Sequence, residues 1–355
     1  MAYLLKKNNV DLYNGYGKII NKNEVEVNKE ILKTKNIIIA TGSRPIIPPI
    51  PGAKESKYLV TSKEILNLKE LPNRLTIIGG GIIGIEFANI FSALGSEVTI
   101  IERLPSILTS IDDEVVKFYL KNLKKNGVTI LTNSNVTLIK DNLVTYVKDE
   151  KEETLESDVI LMAVGRRANV EDYRDLVKVE NGYIVTDGYL KTNIPNIYAI
   201  GDINGKYMLA HVASHEGIIA VEHILGKNPN PVDYKKVPTC VYGIKEIAGI
   251  GLTELEIIKQ NKEYKVSKVP IAAIGKALAD GENEGFIKII TDSDKNILGV
   301  WICSYLATEL ISTFSVAIAN NLTAKEMINA IIAHPTLSEL SFEALLDAVS
   351  KAIHI

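Results

Sequence analysis

His334 and Glu339, five residues apart in Ala333-His334-Pro335-Thr336-Leu337-Ser338-Glu339, are residue types that could move a proton together. A carboxylate that accepts from one imidazole nitrogen orients the ring and raises the basicity of the other. The run lies between two helical patterns, so it reads as a loop leading into a helix N-terminus. A cis His334–Pro335 bond would fix the turn that presents the ring. The same residues also admit a plain helix start, capped by Thr336 or Ser338 with Glu339 in the first turn.

A second set of residues could hold a dinucleotide. An apolar run at 75–78 drops into Gly79-Gly80-Gly81-Ile82-Ile83-Gly84, a helical pattern follows to Gly95, and a strand at 98–101 delivers Glu102. Gly79 would make the tight turn, Gly81 would let the backbone approach a pyrophosphate, and Gly84 would let helix and strand pack closely. The amides of the helix N-terminus would bind the phosphates. Glu102, 18 positions beyond Gly84, could accept from both ribose hydroxyls and would repel a 2′-phosphate, which selects NAD over NADP. The competing explanation is a glycine-rich turn with no ligand. Strand, helix, second strand and acid in this order favour the nucleotide loop.

These residues must be carried by more than one domain. A chain of 355 residues suggests two or three. It has 46% apolar and 23% charged residues and a net charge of −3, which gives no reason to expect a nucleic-acid or charged-membrane partner. No apolar run reaches the roughly 18 residues of a membrane-spanning helix, and the start carries Lys6 and Lys7 rather than a secretory signal, so a cytoplasmic location is expected. Cys240 and Cys303, 63 positions apart, suggest neither a disulfide framework nor a metal site. Three segments look alike: 36–45 (NIIIATGSRP), 158–169 (DVILMAVGRRAN) and 196–202 (NIYAIGD), each a buried strand ending in a small residue and a glycine. Gly165 closes the domain opened at Gly79, and by analogy Gly42 closes an earlier one whose opening strand and phosphate loop are not present. Residues 11–35 read as a small antiparallel excursion, and 136–148 as a hairpin turning at Asp141-Asn142. Beyond Pro238 the pattern becomes strands around 240–251 and 285–301 and helices at 307–320 and 324–332, a separate α+β domain.

Taken in order, Ala40-Thr41-Gly42-Ser43-Arg44-Pro45, the Gly79 loop, Gly165-Arg166-Arg167, Gly201-Asp202, residues 209–217 and the His334 loop resemble the pyridine nucleotide–disulfide oxidoreductases over essentially the whole chain. The His334 loop together with Glu102 is most similar to the dihydrolipoyl dehydrogenases within that family. The resemblance implies an α/β fold: two nested Rossmann-like dinucleotide-binding domains, the first truncated at its N-terminus, plus a C-terminal α+β dimerisation domain. The expected segments are 1–71 and 191–237 for FAD binding, 72–190 for NAD binding and 238–355 for dimerisation. It implies FAD and NAD as cofactors and dihydrolipoamide plus NAD⁺ as substrates. His334 would take the dithiol proton and Glu339 would orient it, across a homodimer interface. Gly79, Gly81, Gly84, Glu86, Glu102 and Gly165 would serve NAD. Thr41, Gly42, Gly201, Asp202 and Ala213 would serve FAD. Bland alternatives stand beside these roles: a turn after a strand for Asp202, an exposed first-turn acid for Glu86, solvated side chains for Arg166 and Arg167. The implied protein partner is the lipoyl domain of a 2-oxoacid dehydrogenase or glycine cleavage complex.

His211 and His215, one helical turn apart with Glu216 and His223 near, superficially suggest a zinc pair, but the spacing is not H-E-x-x-H and no metal is expected. The sequence departs from the family in two respects. It has no first G-x-G-x-x-G for the FAD pyrophosphate and no C-x-x-x-x-C, while thiol exchange needs a thiolate beside the flavin. The expectation is therefore a fragment that is inactive alone. The alternatives are another NADH-dependent disulfide or flavin reductase of the family, or a non-catalytic NAD-binding, dimerising remnant.

Overall fold

In the computed structural model, which describes residues 2–355, the β-branched run around Ile77 becomes the strand Arg74–Ile78 at the centre of a five-stranded parallel sheet. The order is Leu59–Thr61, Val159–Met162, Arg74–Ile78, Glu97–Ile101, Thr129–Leu131, with Leu161, Ile77, Ile100 and Ile130 in register across it. Parallel strands covered on both faces carry near-continuous apolar runs, as here. Helix Ile82–Ala93 follows the central strand, and Gly95, at φ +101°, takes the left-handed turn that releases the chain into the next strand. The expected hairpin is present as Ser134–Lys140 and Leu143–Lys148, with Asp141 at φ +53°. A third strand, Lys151–Glu156, joins it.

The chain divides into two compact units. One comprises residues 45–165 and 235–355, the other 2–44 and 166–234. The chain crosses between the units at 44/45, 165/166 and 234/235.

In the first unit the tail is α+β, built on a five-stranded antiparallel sheet in the order Thr239–Val241, Glu246–Gly251, Ile297–Ser304, Phe286–Thr291, Lys265–Pro270. Antiparallel sheets often leave one face to water, but Phe286–Thr291 is buried at every position. Val241, Ile247, Phe286, Ile290, Trp301 and Cys303 face a core shared with Leu75, Ile77, Phe87 and Phe91. Ile287, Ile289, Val300 and Ile302 face a second core closed by helices Ala307–Ala319 and Glu339–Val349. The tail sheet thus carries a core of its own on one face and shares the core on its other face with the elements around Ile77. The helix expected over 324–332 stops at Met327, and Ile331 is fully exposed. Lys288, 1% exposed, projects among the first core's elements and is neutralised by Asp112 at 3.1 Å, Glu114 at 3.3 Å and Glu254.

The second unit holds the three-stranded meander Gly17–Asn21, Glu24–Val27, Glu30–Lys33 and a parallel pair, Ile37–Ile39 with Ile197–Ala199. The three look-alike segments all form a strand followed by a glycine at positive φ: Gly42 at +67°, Gly165 at +119° and Gly201 at +72°.

Candidate active site and nucleotide loops

Within the unit of residues 45–165 and 235–355, the glycines of the first loop do different jobs. Gly79 sits at φ +111°, and a Cβ there would lie 2.5 Å from the Ala163 carbonyl oxygen. A Cβ on Gly84 would lie 2.1 Å from the Gly79 oxygen, so helix and strand approach as closely as backbone allows. A Cβ on Gly81 meets nothing within 4 Å. Gly81 is also the N-cap of helix Ile82–Ala93, and no side chain caps that end. The first-turn amides thus remain available to a phosphate. This open, amide-rich cradle fits the pyrophosphate of a dinucleotide.

Glu102 lies at the end of the adjacent strand, as expected. Its carboxylate accepts from Gly80 N–H at 2.6 Å (Oε2) and from Leu104 N–H at 2.7 Å (Oε1). Each oxygen can still accept from a hydroxyl, and the two amides fix the carboxylate against the loop. Gly165 ends the segment after Val159–Met162, with Ile46 Cδ1 3.9 Å from where its Cβ would be. Glu86 is half-buried rather than an exposed first-turn acid, and it accepts from Tyr242 N–H at 3.1 Å. Burial pushes its carboxyl up, partly countered by that hydrogen bond.

His334 and Glu339 are brought together. Nδ1 lies 2.8 Å from Glu339 Oε1, and Thr336 N–H donates to Oε2 at 2.9 Å. Thr336 Oγ1 donates to the Ala333 carbonyl at 2.7 Å, which with the Thr336 amide bond to Glu339 braces the turn, and the His334–Pro335 bond is cis. The His334 bond and the Thr336 amide hold the Glu339 carboxyl below the usual range. Glu339 thus serves the helix start and the imidazole at once. The imidazole is 78% exposed, presenting Nε2 to whatever approaches.

The two cysteines cannot pair. Cys240 is in register with Ala248 and Cys303 with Ile247, on either side of the strand Glu246–Gly251. Two strand spacings, about 9–10 Å, separate them, and their side chains point to opposite faces. Burial pushes the Cys303 thiol up to about 12 and raises that of Cys240.

In the other unit, Asp202 follows the Gly201 turn and accepts from Ser43 Oγ. Arg166 donates to Ser43 Oγ at 2.7 Å and to the Ser43 carbonyl at 2.8 Å, and lies 3.9 Å from Asp202. Arg166 is therefore engaged, whereas Arg167 is exposed. Thr41 and Gly42 are held by Asn169, whose side chain donates to the Thr41 carbonyl at 2.8 Å and whose amide donates to that of Gly42 at 3.0 Å. Ala213 lies in the first turn of helix Ala210–Ile224, 3.1 Å from where a Gly201 Cβ would be. Thr41, Gly42, Gly201, Asp202 and Ala213 thus line one strand-end cluster with a bare helix start, a donor and acceptor set that fits the polar parts of a flavin nucleotide.

Sequence reasoning missed Glu216. It is fully buried and accepts from Gly201 N–H at 2.5 Å, Asn204 Nδ2 at 3.0 Å and Tyr234 OH at 2.6 Å, bracing the Asp202 turn from behind. Its position between Val212, Ile219 and Ala220 on the apolar helix face was the available signal. His223 instead meets Tyr198 OH at 3.0 Å and stacks on Tyr189. Among the described residues no group of three or more His, Cys, Asp or Glu could hold a metal ion, and no helix is long and apolar enough to cross a membrane.

Residues 1–217 match the family described as pyridine nucleotide-disulphide oxidoreductase, and residues 237–345 match its dimerisation domain. The dihydrolipoyl dehydrogenase of Chlamydia muridarum is 38% identical over 361 residues, covering 99% of this chain and 77% of that protein. That of Acholeplasma laidlawii is 54% identical over 229 residues, covering 63% of this chain and 68% of that protein. Among solved structures, the HOCl-induced flavoprotein disulfide reductase RclA from Escherichia coli superposes with a TM-score of 0.87 at 28% identity, covering 98% of this chain and 83% of that one.

Proposed function

This chain belongs to the pyridine nucleotide-disulphide oxidoreductase family, and from that premise we propose that it is of the dihydrolipoyl dehydrogenase type, coupling oxidation of dihydrolipoamide to reduction of NAD⁺. The observation that carries this is the His334–Glu339 pair, 2.8 Å apart on a braced loop. The pair is suited to removing a proton from a dithiol. FAD and NAD supply the two-electron chemistry when bound. Gly79, Gly81, Gly84, Glu86, Glu102 and Gly165 serve NAD, with Glu102 set against a 2′-phosphate. Thr41, Gly42, Gly201, Asp202 and Ala213 serve FAD. In functional terms, 1–71 and 191–237 form the flavin part, 72–190 the NAD part and 238–355 the dimerising part. The protein works as a cytoplasmic homodimer on the lipoyl domain of a 2-oxoacid dehydrogenase or glycine cleavage complex.

Because Cys240 and Cys303 face opposite sides of one sheet, these 355 residues alone give no dithiol exchange. The test is lipoamide-dependent NADH oxidation by this chain and by a version joined to a flavin phosphate loop and a C-x-x-x-x-C segment. We expect no turnover from the first and turnover from the second. Turnover by the 355 residues alone would overturn the inactivity. An extended, flavin-loaded enzyme that reduces other disulfides with NADH but not lipoamide would favour a disulfide reductase, the reading supported by the likeness to RclA. Colourless protein that binds NADH without turnover in either form would point to a non-catalytic remnant.

A further inference from the structure

Helix Glu339–Val349 carries a second carboxylate, Glu343, one turn beyond Glu339. Glu343 is 4% exposed, and the end of the chain folds back onto it. The backbone N–H groups of Ile353 and His354 donate to its Oε2 at 2.9 and 3.1 Å, and His354 Nδ1 lies 2.7 Å from Oε1. Burial pushes the Glu343 carboxyl up, but these three contacts outweigh it and leave it below the usual range. Residues four apart on a helix have Cβ atoms about 5–6 Å apart, so His334–Glu339 and His354–Glu343 are adjacent imidazole–carboxylate pairs. The His354 charge adds to the His334 and Thr336 contacts that hold the Glu339 carboxyl down.

Other charges around this helix have different tasks. From Lys265–Pro270, Lys265 donates to the Asp347 carbonyl at the far end of the helix, and Lys268 pairs with Glu114. From Phe286–Thr291, Lys288 points to the opposite face of the sheet, toward Asp112 and Glu254. On the short helix Ala324–Met327, Glu326 caps its own N-terminus and Lys325 is exposed. Asp347 on the helix itself lies one further turn away, and Lys351 in the tail is exposed.

We propose that Glu343 and His354 are positioning residues of the proton-transfer site, a second carboxylate–imidazole pair assembled where residues 353–354 fold back, which balances charge beside Glu339 and so sets how readily His334 takes a proton. The functional role rests on the reading of His334 given above; the charge coupling does not, and it can be measured without substrate. His334 is exposed, so its reaction with diethyl pyrocarbonate, which attacks the neutral imidazole, can be followed against pH. Mass spectrometry separates it from the other four of the chain's five histidines.

Replacing His354 by Gln removes the partner of the Glu343 carboxylate, and the pH of half-maximal His334 reactivity should rise by about half a unit or less, the scale of one nearby charge in a high-dielectric setting. His354→Lys, which keeps a cation there, should restore the wild-type midpoint. Glu343→Gln removes the buried carboxylate from beside Glu339 and should move the midpoint down. Opposite shifts, or a rise in His354→Gln restored by His354→Lys should Glu343→Gln not fold, establish the coupling. No shift, or shifts of the same sign with no restoration by Lys, would overturn it. No lipoamide turnover by the extended enzyme with Glu343 and His354 unchanged, these shifts being intact, would instead count against the functional reading.

Discussion

His334 and Glu339 separate a chemical role from a structural one at single-residue resolution. In the extended, cysteine-bearing enzyme, His334→Gln should slow turnover by about 10²–10⁴-fold, the scale of general acid–base catalysis. Glu339→Gln keeps an acceptor for the ring and should cost less. Steady-state kinetics with lipoamide decide this order. The pair also has an acid limit. The folded-state pKa of Glu339 is lowered, chiefly by the His334 bond, so its stabilisation is full above the ordinary carboxylate range and is lost as pH falls through the lowered value. Melting temperatures of the wild type and Glu339→Gln should differ at neutral pH and converge in acid; a constant difference would show that the pair contributes no linkage. Glu102, fixed by the Gly80 and Leu104 amides, would meet a ribose in the proposed site without first losing rotamer freedom. Glu102→Ala should erase much of the preference for NADH over NADPH in fluorescence titrations, and an unchanged preference would reassign that selectivity.

At the scale of elements, two glycines of one loop should fail in different ways. Gly84→Ala places a methyl group against the Gly79 carbonyl, and overpacking of this kind costs about 1–3 kcal/mol. Both melting temperature and NADH affinity should drop. Gly81→Ala enters open space and should spare the melting temperature while weakening NADH. Loss of stability in the second variant but not the first would contradict this geometry. The strand–loop–helix–strand around Gly79 was legible in sequence because its turn chemistry and apolar periods agree. So was the proximity of His334 and Glu339, a local pairing. The strand Lys151–Glu156 was not, because its run of charged residues shows no apolar alternation and only its ladder to Leu143–Lys148 specifies it. Neither was the end of the helix at Met327: Met327 and Ile328 pack inward, but the apolar period that continues through Ile331 meets no core. Glu343 with His354 and Lys288 with Asp112 are pairings across distance, invisible to local pattern.

For the whole molecule, the dimerisation domain and the exposed Ile331, Val316 and Ile353 lead us to expect a homodimer. Light scattering of the 355-residue chain at micromolar concentration should return twice the 39.0 kDa of one chain; a clean monomer would remove the basis for an active site completed by a second copy. The antiparallel sheet has a consequence for how the protein comes apart. Its central strands are walls of two rooms at once, one shared with the nucleotide helix and one roofed by the tail helices. Neither room can open without breaching the other. Residues 45–165 and 235–355 should therefore exchange their slowest amide hydrogens together, as a single cooperative block. A polypeptide starting near residue 237 would inherit only one room, with Trp301, Phe286 and Ile247 turned outdoors, and should be recovered as aggregate however well its own helices form.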